Sequence, residues 1–313
     1  MPPVLRNPDQ PGKMDNKHMP TKKTTEAELA AKPTPGADGI CIQGYEGCFH
    51  QVAARQFFGK QVNVIPCASF RDLVRIASDA TQSAGAVMAI ENSIAGSILP
   101  NYNLLQKSSL KVIGEVYLSI SQNLMVNRGV QLKDIKEVHS HPMAILQCLD
   151  FLEKNNWKLI ETEDTALSAK NVQQYKSKHI AAIASKLAAE LFDLDVIAPD
   201  IQTQKTNITR FLILKRTKDV VEIPGADKAS LYFQTNHSKG ILAQVLTTIA
   251  RADVNLSKLQ SMPIPGSRFK YGFYADMEFE QKKQLETVLK SMEALTNNMK
   301  FFGVYKKGKL VKG

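Results

Sequence analysis

The chain has 313 residues, 43% of them apolar and 22% charged, with a formal net charge of +10. That length suits two domains, and the composition is enough to bury a core without a metal or disulfide staple. The lysines are scattered apart from Lys306, Lys307, Lys309 and Lys312, and no finger, basic heptad or aromatic RNA-binding signature accompanies them, which excludes nucleic acid as the main partner. No apolar run is long enough to span a membrane.

Residues 1 to about 38 carry seven of the fourteen prolines and no aromatic residue, which predicts a disordered extension. The segment has no serine and includes Asp9, Asp15, Glu26 and Glu28, unlike a transit peptide, and it has no apolar stretch for secretion. The cysteines, Cys41, Cys48, Cys67 and Cys148, form no C-x-x-C pair, so free thiols in a reducing, cytoplasmic compartment are expected.

From Gly39 short strands and helices alternate. Residues 39–43 predict a buried strand, followed by the loop Gly44-Tyr45-Glu46-Gly47 and a helix through Val52, Ala53, Ala54 and Phe57. A strand at 62–65 precedes a helix capped by Ser69 with Asp72 three residues on. Residues 85–90 are nearly all apolar, as in a strand covered on both faces, and Pro100 suits the first turn of a helix. Strands are expected at 111–126, 136–140, 157–162, 179–183 and 194–198, and helices at 142–155, 164–175 and 184–192. Thr209 to Leu214 closes the region with a strand that returns to the first half. The result is an α/β domain of two lobes around a cleft. After a connector with Pro224-Gly225, the order strand, helix, strand, strand, helix, strand over 229–305 predicts a ferredoxin-like unit.

Thr209-Arg210 is the leading chemical pair. A guanidinium grips a carboxylate with a fixed fork of donors, and a threonine hydroxyl donates a hydrogen bond without adding charge. Neighbouring side chains of a strand face opposite ways, so both reach one pocket only at a twist or bulge, and a structural role stays open. Glu91-Asn92-Ser93 ends a buried strand, where α/β folds place ligands. Ser140-His141-Pro142 opens a helix, with Ser140 in position to cap it. No Walker, dinucleotide or nucleophile-elbow fingerprint occurs.

In order along the chain, Gly44-Tyr45-Glu46-Gly47 with Ala53-Ala54, Ile90-Glu91-Asn92-Ser93 with Gly96-Ser97, Ser140-His141-Pro142 with Gln147-Cys148, Asp164-Thr165-Ala166, Ala181 to Ser185, and Asn207-Ile208-Thr209-Arg210-Phe211 resemble the motifs of the prephenate dehydratases. The likeness covers roughly residues 39–305. It implies a type II periplasmic-binding-protein-like catalytic domain over 39–217, followed by an ACT domain over 228–306 and a basic tail over 307–313. It also implies cofactor-free, metal-free conversion of prephenate to phenylpyruvate with loss of carbon dioxide and water. Thr209 would then donate to the leaving hydroxyl. Asn92, Ser93, Ser140, His141, Thr165, Asn207, Arg210 and Phe211 would form the substrate site. Glu91 fits poorly beside a dianion unless another partner holds it.

Some positions depart from the family pattern. In the first loop Tyr45, Cys48 and His50 stand where proline, threonine and serine are usual, and Met143 and Lys186 replace glutamine and glutamate. In the second domain Gly240-Ile241-Leu242 and Gln260-Ser261-Met262-Pro263 resemble the two motifs that bind phenylalanine at an ACT dimer interface, without the charged glutamate and arginine. The resemblance therefore implies Gly240, Ile241, Leu242, Ser261 and Pro263 as effector residues, phenylalanine as effector, and a homodimer or homotetramer. Arogenate dehydration is the close alternative. A non-catalytic carboxylate sensor is the alternative of another class, and a periplasmic solute-binding protein conflicts with the missing signal peptide.

Overall fold

A computed structural model describes residues 38–313 apart from His237, Pro265 and Phe269. The expected disorder of the N-terminal extension lies outside the described residues. The first lobe holds β1 (Ile40–Gln43), α1 (Phe49–Phe58), β2 (Val64–Cys67), α2 (Phe70–Ala77), β3 (Gly85–Asn92), β4 (Gly96–Ser97), α3 (Leu99–Lys107) and β5 (Leu110–Ser119). The second holds β6 (Asn123–Val126), β7 (Glu137–Ser140), α4 (Pro142–Gln147), α5 (Leu149–Leu152), β8 (Lys158–Glu161), α6 (Thr165–Tyr175), β9 (Ile180–Ala184), α7 (Lys186–Leu191) and β10 (Asp195–Ala198). The chain then returns through β11 (Ile208–Arg216), which inserts between β5 and β3 in the first sheet, antiparallel to both.

The stretch 111–126, expected as one strand, is two. The peptide leaves the first sheet after Ser119 and enters the second at Asn123. The two crossing segments are tied together, with Ile120 N donating to Asn207 O at 2.7 Å and Ile201 N to Gln122 O at 2.8 Å. The helix expected at 142–155 breaks at Cys148. Ser69 caps α2 as expected, accepting from Asp72 N at 3.1 Å. One core cluster joins Val52, Ala53, Val116 and Phe211 of the first lobe to Ala166, Ala169, Leu187 and Ala188 of the second. The lobes therefore share packed apolar surface at the floor of the cleft.

The C-terminal domain runs β12 (Lys228–Thr235), α8 (Ile241–Arg251), β13 (Asn255–Pro263), β14 (Tyr271–Glu278), α9 (Lys282–Glu293) and β15 (Thr296–Tyr305). Its sheet order, β13-β14-β12-β15, is that of a ferredoxin-like unit. One face packs the helices through Leu231, Phe233, Val245, Ile249, Ala275, Val288 and Met292. The other face lies on the first lobe, where Tyr232, Met262, Tyr274 and Phe302 share a core with Met88, Ile90, Tyr102 and Leu212. The approach is close enough that a Cβ on Gly303 would sit 2.1 Å from the Val112 carbonyl oxygen. Within the basic segment 307–313, expected as a solvated tail, Leu310–Lys312 forms β16, paired in parallel with the free edge of β5. Edge strands offer unpaired backbone groups, and the tail takes them up.

Candidate active site

The cleft is built where β3 and β11 run side by side. Thr209 lies opposite Asn92 and Arg210 opposite Glu91, with a bulge between Arg210 and Phe211. The extra residue is Ile90 of β3; β11 itself stays regular against β5 through this stretch, so alternation puts Phe211 on the face that carries Thr209. Asn92, Thr209 and Phe211 from these strands, with Asn207 just before β11, border a cavity of about 270 Å³ together with Cys48, Phe49 and His50 at the start of α1, His141, Met143 and Gln147 around α4, and Asp164 and Thr165 at the start of α6. Ile120 and Gln122 of the first crossing segment complete the wall.

Thr209 is 9% exposed. Its Oγ1 accepts from Asn92 Nδ2 at 3.0 Å, and the same amide group donates to Asn207 Oδ1 at 2.7 Å. Asn92 is held in turn, because its Oδ1 accepts from Ile94 N and Ala95 N at 2.9 Å each. Among the described residues the Thr209 hydroxyl donates to no protein group, so its proton is available to the cavity. Asn207 Nδ2 donates to Gln147 Oε1 at 3.0 Å, and Gln122 Nε2 reaches the same oxygen at 3.3 Å. Among the described residues Gln122 Oε1 is buried without a protein partner, an acceptor available to a bound hydroxyl.

The electrostatics of the pocket combine uncharged imidazoles with a carboxylate. Burial lowers the His50 pKa to about 3, and its Nε2 accepts from Ala89 N at 3.3 Å. Burial also lowers that of His141, whose Nδ1 accepts from Met143 N at 3.2 Å. Both rings are therefore neutral at pH 7. Burial raises Asp164 to about 6, an effect only partly offset by the backbone N–H groups of Leu167 and Ala166. Asp164 caps α6 through Leu167 N at 2.9 Å. Its other oxygen lies so near the first loop that a Cβ on Gly44, which has φ 97°, would sit 2.6 Å from it. Among the described residues no lysine or arginine lines the cavity. The N-termini of α1 and α6 open onto it, with backbone N–H groups and a dipole that favour anions. Among the described residues no cluster of histidine, cysteine and carboxylate side chains could hold a metal.

Three expected substrate residues lie elsewhere. Arg210 is 4% exposed and points away from the cleft into the junction with the C-terminal domain. Its Nε donates to Glu115 Oε2 at 2.7 Å, its Nη1 pairs with Asp276, and its Nη2 reaches the Tyr305 hydroxyl at 3.1 Å. Strand alternation is the cause: with Thr209 facing the cleft, its neighbour faces the other way. Burial opposes the charge on Arg210, yet Asp276, Tyr305 and Glu115 more than compensate and hold its pKa well above the ordinary value. Ser140 is fully buried and donates to Ile183 O at 2.7 Å, and His141, not Ser140, caps α4. Ser93 braces the strand end, accepting from Ile208 N at 2.9 Å and donating to Thr206 O at 3.3 Å. Asp164, Gln147, Cys48 and His50 belong to segments that carry motifs but were not expected as site residues. Ile120 and Gln122 had no local signal and enter only because the chain crosses between lobes beside Asn207.

In the C-terminal domain Gln234, Gly272 and Met262 form one register row, which sets the end of β13 level with the end of β12. Met262 is buried against the first lobe, so Ser261 and Pro263 share the opposite, helix-bearing face. Gly240, with φ 77°, starts α8 at this same end, followed by Ile241 and Leu242 in its first turn.

The prephenate dehydratase family model matches residues 40–219. The bifunctional chorismate mutase/prephenate dehydratase of Enterobacter agglomerans is 31% identical over 278 residues, covering 87% of this chain and 72% of that protein. Arogenate dehydratase 2 of Petunia hybrida is 32% identical over 319 residues, covering 95% and 80%. Among solved structures, the prephenate dehydratase of Arthrobacter aurescens in complex with L-Phe aligns with a TM-score of 0.76 at 26% identity, covering 86% of this chain and 90% of that one. The quorum-quenching acylase GqqA aligns at 0.77 and 28%, covering 86% and 97%. A hydroxyl donor set in a two-lobed cleft, a returning strand that carries it, and a match spanning that whole domain agree: the chain belongs to the prephenate dehydratase family.

Proposed function

We propose that the protein dehydrates and decarboxylates prephenate to phenylpyruvate, with no cofactor, and that Thr209 is the residue acting on the leaving group. The observation that carries this is the Thr209 hydroxyl, fixed through its oxygen by Asn92 with its proton free to point into the cavity. As the ring carboxylate departs as carbon dioxide, its bonding pair enters the ring and expels the hydroxyl as hydroxide, which needs one proton to become water. A hydrogen bond from Thr209 strengthens as that oxygen gains charge, which is what lowers the barrier. A threonine is far too weak an acid to protonate fully, so its role is hydrogen-bond donation and the proton comes ultimately from solvent. The lining also helps, because among the described residues no lysine or arginine pins the carboxylate that must lose its charge. Asn92, Asn207, His141 and Thr165, with Phe211 packing the ring, orient the substrate.

Arogenate has an ammonium where prephenate has a keto group, and the likeness to the Petunia enzyme keeps it as the alternative substrate. Steady-state turnover of both compounds by the purified chain tests the proposal, and turnover of neither would sink it. The likeness to GqqA raises acyl transfer as a second reading. Against it, Cys48 Sγ donates to Gln43 O at 3.4 Å and Thr209 Oγ1 is bonded to an amide. No nucleophile is hydrogen-bonded to a basic side chain among the described cavity residues, the arrangement by which an adjacent base activates a serine, threonine or cysteine for acyl transfer.

We further read residues 228–306 as an ACT regulatory domain that binds phenylalanine through Gly240, Ile241, Leu242, Ser261 and Pro263. Support comes from the ferredoxin-like strand order, from the shared end and face of the two motifs, and from the L-Phe complex of the Arthrobacter enzyme. A homodimer or homotetramer is expected through this domain, and light scattering at micromolar concentration checks it. Calorimetric titration with phenylalanine checks the effector.

A further inference from the structure

Glu91 and Arg210 are opposite one another in the β3–β11 ladder, one residue along from the Asn92 and Thr209 pair. Alternation turns the first pair away from the cleft and toward the C-terminal domain. There Glu91 is held by Lys258 and Arg210 by Asp276. Lys258 and Asp276 are themselves register partners on β13 and β14. Two adjacent side chains of the second domain thus grip the two residues whose immediate neighbours form the hydrogen-bonded pair in the cleft.

The two grips differ. Arg210 and Asp276 sit in a fully buried network with Glu115, Lys228, Ser230 and Tyr305, over-determined by many partners. The Lys258 grip is partly exposed, with side-chain exposures of 17% for Lys258 and 31% for Glu91. Its ammonium also donates to Ser97 Oγ at 2.7 Å. Glu91 and Ser97 are opposite each other in the β3–β4 hairpin, and the turn of that hairpin is organised by the Asn92 side-chain oxygen, Oδ1, which accepts from Ile94 N and Ala95 N. One ammonium therefore clamps both arms of the hairpin whose turn supplies the amide that fixes Thr209. Lys258 lies three residues before Ser261 on the same strand, roughly 10 Å along it.

We propose that Lys258 is a positioning residue for the Thr209–Asn92 pair, and the contact through which the C-terminal domain sets the geometry of the cleft. A ligand that shifts the end of β13 displaces the clamp, the hairpin and the Asn92 amide together. The proposal rests on the reading that Thr209 acts on the leaving hydroxyl.

The test uses the full chain with Lys258→Met, Glu91→Gln, and the exchange Lys258→Glu with Glu91→Lys. Each single change is expected to lower kcat on the accepted substrate by about tenfold or more, since small misplacements at a reacting centre are expensive. KM should stay within about threefold of wild type, and inhibition by phenylalanine should weaken. The exchange should recover kcat relative to either single variant. Wild-type kcat in Lys258→Met, or an exchange no better than the singles, overturns the proposal. A second readout needs no turnover. The Thr209 methyl NMR signal, assigned with Thr209→Val, should move in Lys258→Met and return toward its wild-type position in the exchange. An unmoved signal also overturns the proposal. If wild type turns over neither substrate but the methyl signal responds, the functional reading fails and the positioning role stands.

Discussion

Replacing Thr209 with valine isolates the hydroxyl, because valine keeps the branched shape and the strand preference while removing one oxygen. The structural cost is small. Asn92 Nδ2 keeps its bonds to Asn207 Oδ1 at 2.7 Å and to the Ile208 carbonyl at 3.3 Å, so the loss is one neutral hydrogen bond, about 1 kcal/mol. The kinetic cost should be much larger. Removing a single preorganised donor aimed at developing negative charge costs roughly 10²- to 10³-fold in kcat, about 3–4 kcal/mol. KM should change little, because the substrate hydroxyl is neutral before the bond breaks. Phenylpyruvate formation followed by its enol absorbance measures kcat, and urea denaturation measures stability. Thr209→Ser should restore most of the rate. A Thr209→Val enzyme with kcat within about tenfold of wild type would refute the role assigned to Thr209.

Burial sets up opposite pH effects on stability at two cleft residues. His50 titrates at about 3 in the folded chain against an ordinary 6.5, so its contribution is present above pH 6.5 and is lost as pH falls. Asp164 titrates at about 6 against an ordinary 3.8, so the folded state takes up its proton first and gains stability as pH falls from 6 to 4. Each slope is about 1.4 kcal/mol per pH unit and the two nearly cancel in wild type. Asp164→Asn should therefore lose stability between pH 6 and 4, and His50→Asn should gain it, by denaturant titration at each pH. Equal slopes in both variants would contradict the assignment. In turnover, ionised Asp164 faces an anionic substrate, so Asp164→Asn should lower KM at pH 8, and an unchanged KM counts against that placement. Arg210→Met leaves Asp276 buried beside Ser230 without its cation and should cost about 3–5 kcal/mol of stability in urea. A loss below about 1 kcal/mol would mean the network relaxes into water.

Much of the architecture was legible because its signals are local. The apolar run of β3, the Ser69 cap with Asp72, and the strand and helix order of both domains follow from periodicity and capping chemistry. The break of 111–126 into β5 and β6 was not legible, since a strand leaving one sheet for another keeps its apolar pattern. Nor was the pairing of Leu310–Lys312 with β5, because a lysine-rich end gains a strand only where another sheet offers an open edge.

For the site, the alternation of Thr209 and Arg210 across their strand is a property of the sequence alone, and so is the presence of a hydroxyl and a cation at that point. Which face meets the cleft is not, because it depends on what covers each side of the sheet, the cavity on the Thr209 side and the C-terminal domain on the Arg210 side. Lys258, Asp276 and Lys228 likewise read as ordinary charges on strands. Only the docking of the C-terminal sheet on the first lobe removes them from water and turns them into partners of Glu91, Arg210 and Glu115. Local chemistry determined what each segment could offer. Long-range packing decided which offers meet, because burial and register are set by residues more than sixty positions away.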